Sequence, residues 1–383
     1  MNLFSLKKKG HAVALIDIGS ASIGVAYAFV EEGKPPAIYY TARLPIDVRD
    51  GETIGADMLR TLERITHKLV REGAKELHAA LGSAHIHTVL VSIAAPWQET
   101  GVRIESIRKD KPFAFTRAIL EEATRRNDNL PEGRIESGES VIATILNGYE
   151  TGSPFGKKVT RADLVILSST VDRELSEAVE RTVRKEFHTH DVRVTAFAPV
   201  AFELLRDLYP LQKDFLVLDV SGTATDLAFV KNGLLADVQS IRCGVHALIE
   251  AGRAGGMVPA GLPGSDAAPA GLIDTERNPE FAARMSFAER LWLDSLKSSL
   301  TKFSERHALP RTLFLLADDD VRGFLEKILN TDILRSLWLS DEPLAVVPVR
   351  SEQLASVVAT RGSATGDIFL AMLALFYSRR AQH

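Results

Sequence analysis

Cysteine is almost missing from this sequence, Cys243 standing alone among 383 residues. A single thiol excludes an internal disulfide framework and any zinc site built on cysteine, and it fits a reducing compartment. A strong excess of one charge is missing too: 46 Lys and Arg against 50 Asp and Glu give a net charge of −4. Without a basic surface there is little phosphate neutralisation, so nucleic acid is excluded as the expected partner. Long apolar runs are absent. The run 368–377 is half the roughly 20 residues that span a bilayer; apolar on every face, it reads as a buried helix whose negative end suits Arg379 and Arg380. No secretory signal opens the chain, because Leu3, Phe4 and Leu6 precede Lys7, Lys8 and Lys9; residues 1–10 read as a flexible basic start. A Gly-Lys-Ser/Thr phosphate loop is lacking, even in the Gly-, Ala- and Pro-rich stretch 251–276, which reads as a mobile loop. The histidines His78, His85 and His87 read as exposed strand-end residues, and no metal is assigned to them.

What is present is a repeat. Ala14-Leu15-Ile16-Asp17-Ile18-Gly19-Ser20-Ala21-Ser22-Ile23-Gly24-Val25-Ala26-Tyr27 returns as Leu216-Val217-Leu218-Asp219-Val220-Ser221-Gly222-Thr223-Ala224-Thr225-Asp226-Leu227-Ala228-Phe229. Each copy is an apolar strand, an acidic tight turn and a second apolar strand. Gly, Ser, Ala and Thr put little side chain in the way of the turn's backbone N–H groups. Two such hairpins facing each other would make a phosphate clamp. Hydrophobic content of 45% and charged content of 25% are ordinary for a globular chain, and the length favours two lobes.

Alternating elements surround the repeat. A third strand at 37–44 precedes a helix at 55–72, where Met58, Leu62, Ile65 and Leu69 recur at helical spacing. After a strand at 88–94 the rhythm changes. A strand at 102–108, a charged helix at 116–127 and a strand at 141–147 before the turn Asn147-Gly148-Tyr149 read as a small inserted α+β subdomain. A strand at 163–168 and a helix at 171–187, striped by Leu175, Val179, Val183 and Phe187, read as a return to the α/β rhythm. The expected map is a flexible start at 1–10, a first lobe at 11–94 and 161–212, the inserted subdomain at 95–160, a second lobe at 213–349, and a return to the first lobe at 350–383.

Paired acidic hairpins with a third loop resemble the actin-like ATPase superfamily over nearly the whole chain. Asp17-Ile18-Gly19-Ser20 is similar to its first phosphate motif. Residues 219–226 are similar to the second, in a form with fewer glycines. The insertion after Ile93-Ala94-Ala95-Pro96-Trp97 is placed as in the FtsA/PilM branch of cell-division and type IV pilus proteins. The resemblance implies a two-lobed α/β fold of duplicated βββαβα units, with ATP and Mg2+ as cofactors. It implies that Asp17, helped by Asp219, holds magnesium through water. The phosphate-binding set would be Asp17, Gly19, Ser20, Asp219, Ser221, Gly222, Thr223 and Asp226, with Gly19, Ser20, Gly222 and Thr223 donating to phosphate oxygens. On its own residues, each Asp reads as a strand end capping its turn.

The third loop departs from the family. Where a Gly-Gly turn would lie beneath the adenosine, this chain has Ala317-Asp318-Asp319-Asp320. A carboxylate about 5 Å from a phosphate costs roughly 3 kcal/mol at an effective dielectric near 20. Without the resemblance, the same acids read as a helix start favoured by the macrodipole. Asp172 and Glu174 read as the first turn of a helix, so no water-positioning residue is assigned. The resemblance therefore implies a cytoplasmic adaptor at the inner face of the cell membrane. It would bind Mg-ATP weakly or vestigially and dock the cytoplasmic tail of a membrane protein, or a cytoskeletal partner, in type IV pilus-type assembly, with self-association open. An FtsA-like division role and an active ATPase or small-molecule kinase remain alternatives, the stop soon after Tyr377 favouring the PilM-like role.

Overall fold

The first apolar repeat forms β1 (Gly10–Ile18) and β2 (Ser22–Glu31), buried along nearly their whole lengths because neighbouring strands and helices cover both faces. Their antiparallel ladder ends at the pair Ile18 and Ile23, and the Gly19 N–H closes the turn on the Ser22 carbonyl at 3.0 Å. β3 (Ala37–Pro45) pairs antiparallel with β2, while β4 (Ile86–Ile93) and then β9 (Asp191–Ala196) add in parallel on the side of β1. With β15 (Ala359–Thr360) at the far edge, the order is β15-β3-β2-β1-β4-β9. The helix Ile54–Lys68 packs Met58, Leu62 and Ile65 onto this sheet, its start capped by the Thr53 side chain. The helix Ile368–Ala381 packs there as well and is buried from Ile368 to Ser378, as expected of a run apolar on every face.

The structure, a computed structural model, describes residues 10–46, 53–82, 85–125, 130–248, 279–338 and 344–381. The expected mobile loop at 251–276 and residues 1–9 of the basic start lie outside these. The chain divides into two compact units, one comprising Met1–Ala94, Glu174–Leu204 and Val349–His383, the other Ala95–Arg173 and Leu205–Pro348.

The second unit repeats the first sheet. β10 (Phe215–Val220), β11 (Thr225–Lys231) and β12 (Leu234–Ile241) form an antiparallel trio, and β13 (Thr312–Ala317) and β14 (Ala345–Pro348) add in parallel on the side of β10. The order β12-β11-β10-β13-β14 therefore matches β3-β2-β1-β4-β9 strand for strand and direction for direction. Its core is lined by Trp292, Leu296, Leu300 and Phe303 from the helix Pro279–Ser304 and by Val321, Leu325 and Ile328 from the helix Asp319–Leu329.

A third sheet interrupts the chain of the first unit. It consists of β5 (Gln98–Ala114), β6 (Arg134–Leu146), β7 (Tyr149–Glu150) and β8 (Lys158–Asp172) in the order β5-β8-β6-β7. The helix Arg117–Arg125 contributes Ile119, Leu120 and Ala123 to a core with Phe115, Leu146, Val159, Leu164 and Ile166. The strand expected at 163–168 as a return to the first lobe is instead the middle of β8, paired on both sides inside this sheet. The inserted sheet thus runs past residue 160 to Asp172. A buried apolar run looks the same in sequence whichever sheet takes it. Among the described residues no helix is long and apolar enough to cross a membrane.

Candidate functional site

Strand register brings together the polar residues around the first turn. Asp17 lies opposite Gly24 on β2 and Ser92 on β4, and Gly24 lies opposite Arg43 on β3. Directly opposed residues share a face, so Arg43, Gly24, Asp17 and Ser92 form one row across four strands. Gly24 leaves a gap in that row: a Cβ there would lie 2.5 Å from Arg43 Nη2. Through this gap the guanidinium reaches across β2. Arg43 Nη2 donates to Asp17 Oδ2 at 2.9 Å, Nη1 to Ser22 Oγ at 2.8 Å and Nε to Asp367 Oδ2 at 2.7 Å. Ser92 Oγ donates to Asp17 Oδ1 at 2.8 Å, so both oxygens of this carboxylate are engaged by protein donors. Asp367 Oδ1 also accepts the Leu370 N–H at 3.0 Å and so caps the helix Ile368–Ala381. Burial pushes the Asp17 carboxyl up to about 6, against the opposing pull of Arg43.

The corresponding row in the second sheet is Ser240, Asp226, Asp219 and Leu316. Asp226 takes the place of Gly24, and it is buried. Its carboxylate accepts from Gln98 Nε2 at 2.6 Å and from Ser240 Oγ. Gln98 Oε1 accepts from Thr100 Oγ1 at 2.7 Å, and Thr100 Oγ1 lies 2.8 Å from Ser169 Oγ, so a line of hydrogen bonds runs from the second hairpin into β5 and β8. The turn is closed by the Ser221 N–H on the Ala224 carbonyl at 3.0 Å, the counterpart of the Gly19 turn. Behind it, the N–H groups of Val245 and His246 donate to the Ser221 and Gly222 carbonyls at 3.0 and 2.8 Å. A Cβ on Gly244 would overlap both of those carbonyl oxygens, which is why a glycine passes there. Thr225 Oγ1 donates to the Cys243 carbonyl at 2.8 Å and accepts from Trp292 Nε1 at 3.1 Å.

A chain of a solved PilM-PilN type IV pilus biogenesis complex matches this structure with a TM-score of 0.62, covering 98% of this chain and 99% of that one at 16% identity. The fold is actin-like. An exopolyphosphatase-like protein (13% identity, 98% and 100% of the two chains, TM-score 0.43) and a protein of actin-like ATPase fold from Bacteroides thetaiotaomicron (11%, 98% of each, 0.42) are too distant to add to that. No protein-family model and no curated protein matches the sequence.

Within the actin-like framework the site residues fall as follows. Asp17 does not fit a hydrated magnesium ion. Such an ion keeps several waters that must donate to the carboxylate, but here Arg43 and Ser92 hold both oxygens and the guanidinium would confront the ion's charge. Asp219 is half-buried near the end of β10, in the row already described. The N–H groups of Gly19 and Ser221 are spent on closing their own turns, Ser20 and Gly222 are buried, and Thr223 is half-buried. Ala317 is buried beside Val220. Asp318 to Asp320 form a helix start: the Asp318 carbonyl accepts the Val321 and Arg322 N–H groups at 3.2 and 3.1 Å, and Arg322 pairs with Asp319 at 2.6 Å. Glu174 lies in the first turn of the helix Arg173–Phe187, and the Asp172 N–H donates to the Trp97 carbonyl.

Sequence reasoning missed Arg43 and Gln98. A glycine inside an otherwise apolar strand is the one local signal for Arg43, since it marks close approach by another group. Nothing around Gln98 announces its partner.

Burial also gives the site a pH signature. It pushes Asp226 from 3.8 up to about 6, while the hydrogen bonds from Ser240 and Gln98 oppose the rise. Between pH 4 and 6 the folded protein then binds a proton that the unfolded chain has released. The unfolding free energy therefore falls as pH rises through this window, by roughly 3 kcal/mol for this group. Asp226→Asn is expected to flatten that part of the stability curve in urea titrations from pH 4 to pH 7; an unchanged slope would assign the effect elsewhere.

Proposed function

We propose that this protein is an actin-fold adaptor of the PilM kind, which holds the cytoplasmic tail of a membrane protein and keeps its phosphate hairpins as structure. The observation that carries the reading is the closure of Asp17 by Arg43 and Ser92. The acid that the resemblance assigns to magnesium serves here to join four strands to the last helix. Asp226 is closed in the same way by Gln98 and Ser240, and carboxylates replace glycines at Asp318 to Asp320. A scaffold reading explains all three departures, whereas an ATPase or kinase needs the first acid open to an ion. The fold shared with a chain of the PilM-PilN complex supports a tail-binding role, and on this reading the work is done at the inner face of a membrane in pilus-type assembly.

Addition of 5 mM Mg-ATP is expected to raise the melting temperature by no more than about 1 °C. A ligand at or below its Kd contributes at most about 0.4 kcal/mol. Phosphate release should match buffer alone, and co-purification with the host's PilN-type tail should not change when nucleotide is added or removed. A shift of several degrees that disappears in Asp17→Asn would overturn the scaffold reading in favour of a working nucleotide site.

A further inference from the structure

The end of the inserted sheet carries positive charge and exposed aromatic surface that the scaffold reading does not use. Register gathers these residues. Arg108 lies opposite Arg161, Ala114 opposite Lys158 and Leu146 opposite Tyr149, while Phe115 exchanges backbone hydrogen bonds with Gly156 and Lys157. Arg108, Lys109, Lys111, Arg117, Lys157, Lys158 and Arg161 are all exposed here. Against them stand Asp110, Glu150 and, one turn along the helix from Arg117, Glu121 and Glu122 at the surface, and Asp163, which is buried and already bonded to Arg161 at 2.7 Å. Lys109, Lys111 and Lys158 make no ion pair among the described residues. In a chain of net charge −4, such a local excess is a feature of the fold rather than of composition.

Aromatic rings sit among the cations. Tyr149 is 80% exposed and Phe155 47% exposed. Phe155 stacks on the buried Phe115 with centroids 6.0 Å apart, Arg117 lies 5.7 Å over the Phe155 ring, and Lys109 lies 5.0 Å over Phe113. Phe113 and Phe155 are thus anchored to the subdomain core while a charged head extends above each, and Tyr149 stands free at the surface. The tip is also preorganised. Asn147 and Gly148, with φ of 50 and 89, make the tight turn before Tyr149, and Asn147 Oδ1 accepts the Thr160 and Arg161 N–H groups at 3.1 and 3.0 Å. A surface already ordered loses little on binding.

We propose that this tip docks directly on an anionic lipid bilayer, the lysines and arginines meeting headgroup phosphates while Tyr149 and Phe155 enter the interface. Cations beside aromatic rings suit that boundary, where basic residues meet negative headgroups and amphipathic rings lie at headgroup depth. Single-stranded nucleic acid would need rings with open faces on which bases stack. Phe155 is taken by Phe115 and Arg117, and Phe113 by Lys109, so of these three rings Tyr149 alone keeps its faces open, too few for a run of successive bases. The inference goes beyond the adaptor reading and needs neither nucleotide nor a protein tail.

The test is co-sedimentation of the full chain with vesicles of phosphatidylglycerol and phosphatidylcholine, compared with phosphatidylcholine alone. Binding is expected to the first and not the second, and to weaken between 50 and 300 mM salt as screening shortens the field. Each basic residue at such a surface contributes roughly fivefold in partitioning. The triple variant Lys109→Gln, Lys111→Gln, Lys158→Gln should therefore bind on the order of a hundredfold more weakly, with an unchanged melting temperature because all three side chains are exposed. Tyr149→Ala, at an exposed position, should weaken binding by a smaller factor. Equal binding to both kinds of vesicle, or a triple variant that binds like the parent, would overturn the proposal. Retention by single-stranded RNA without vesicle binding would overturn it as well. None of these outcomes alters the response to Mg-ATP, so failure here and failure of the adaptor reading are distinguishable.

Discussion

Arg43→Ala is expected to lower the unfolding free energy by about 3 kcal/mol at pH 7.5, read by urea denaturation. The guanidinium is the cationic partner of Asp17, which is 3% exposed, and it also bonds Ser22 and the capping Asp367. Its loss leaves a buried carboxylate with only Ser92 to solvate it, and stranding one member of a buried pair costs about 3–5 kcal/mol. The lower end applies because the Arg43 side chain keeps 21% of its surface in water. Protonation offers Asp17 partial relief, so the loss should be smaller at pH 5 than at pH 8. The double variant Asp17→Asn, Arg43→Met should recover much of the loss, since replacing both charges removes the stranded group; the cycle then reports their coupling. A single-variant loss under 1 kcal/mol would show that the first hairpin does not depend on this arginine.

Gly244→Ala should cost about 3–5 kcal/mol in the second unit. The added Cβ would overlap the Ser221 and Gly222 carbonyl oxygens, and both obstacles are backbone, so no side-chain rotation absorbs them. Moving the segment away stretches the bonds from Val245 and His246 to those carbonyls. Overpacking costs about 1–3 kcal/mol and each weakened hydrogen bond about 1 kcal/mol. Gly323→Ala is the control: the position lies within the helix Asp319–Leu329 with open space around it, so the change should be neutral or stabilising by up to about 1 kcal/mol. A melting curve of Gly244→Ala that overlays the parent would mean that the turn has room the structure does not show.

The duplicated hairpins were legible because apolar runs with an acid before the turn leave few alternatives, and both close in the same way at Gly19 and Ser221. Asn147 and Gly148 were legible for a different reason, since both adopt a positive φ that few other residues tolerate. The full length of β5 was not. Expected at 102–108, it runs from Gln98 to Ala114, because Arg108, Lys109, Asp110 and Lys111 belong to an edge strand whose ends carry no apolar alternation. Arg43 escaped for a longer-range reason. Its meaning depends on which residues stand opposite one another across β1, β2 and β3, and on Asp367, far away in the chain. Of the candidate acids, Asp318 to Asp320 were legible as a helix start from their own chemistry, whereas the closure of Asp17 required the register.

The first unit is assembled from three separated stretches of chain, and its sheet is covered by a helix that begins only at Ile368. During synthesis β1 and β2 therefore leave the ribosome long before the helix that shields them. The face that this last helix covers stays open while some 340 further residues are made, about 17–70 s at 5–20 residues per second. The second sheet, complete once β14 has emerged, can close earlier. Birth order and folding order thus run in opposite directions: the first hairpin to be translated is the last to be sealed, when Asp367 arrives to meet Arg43.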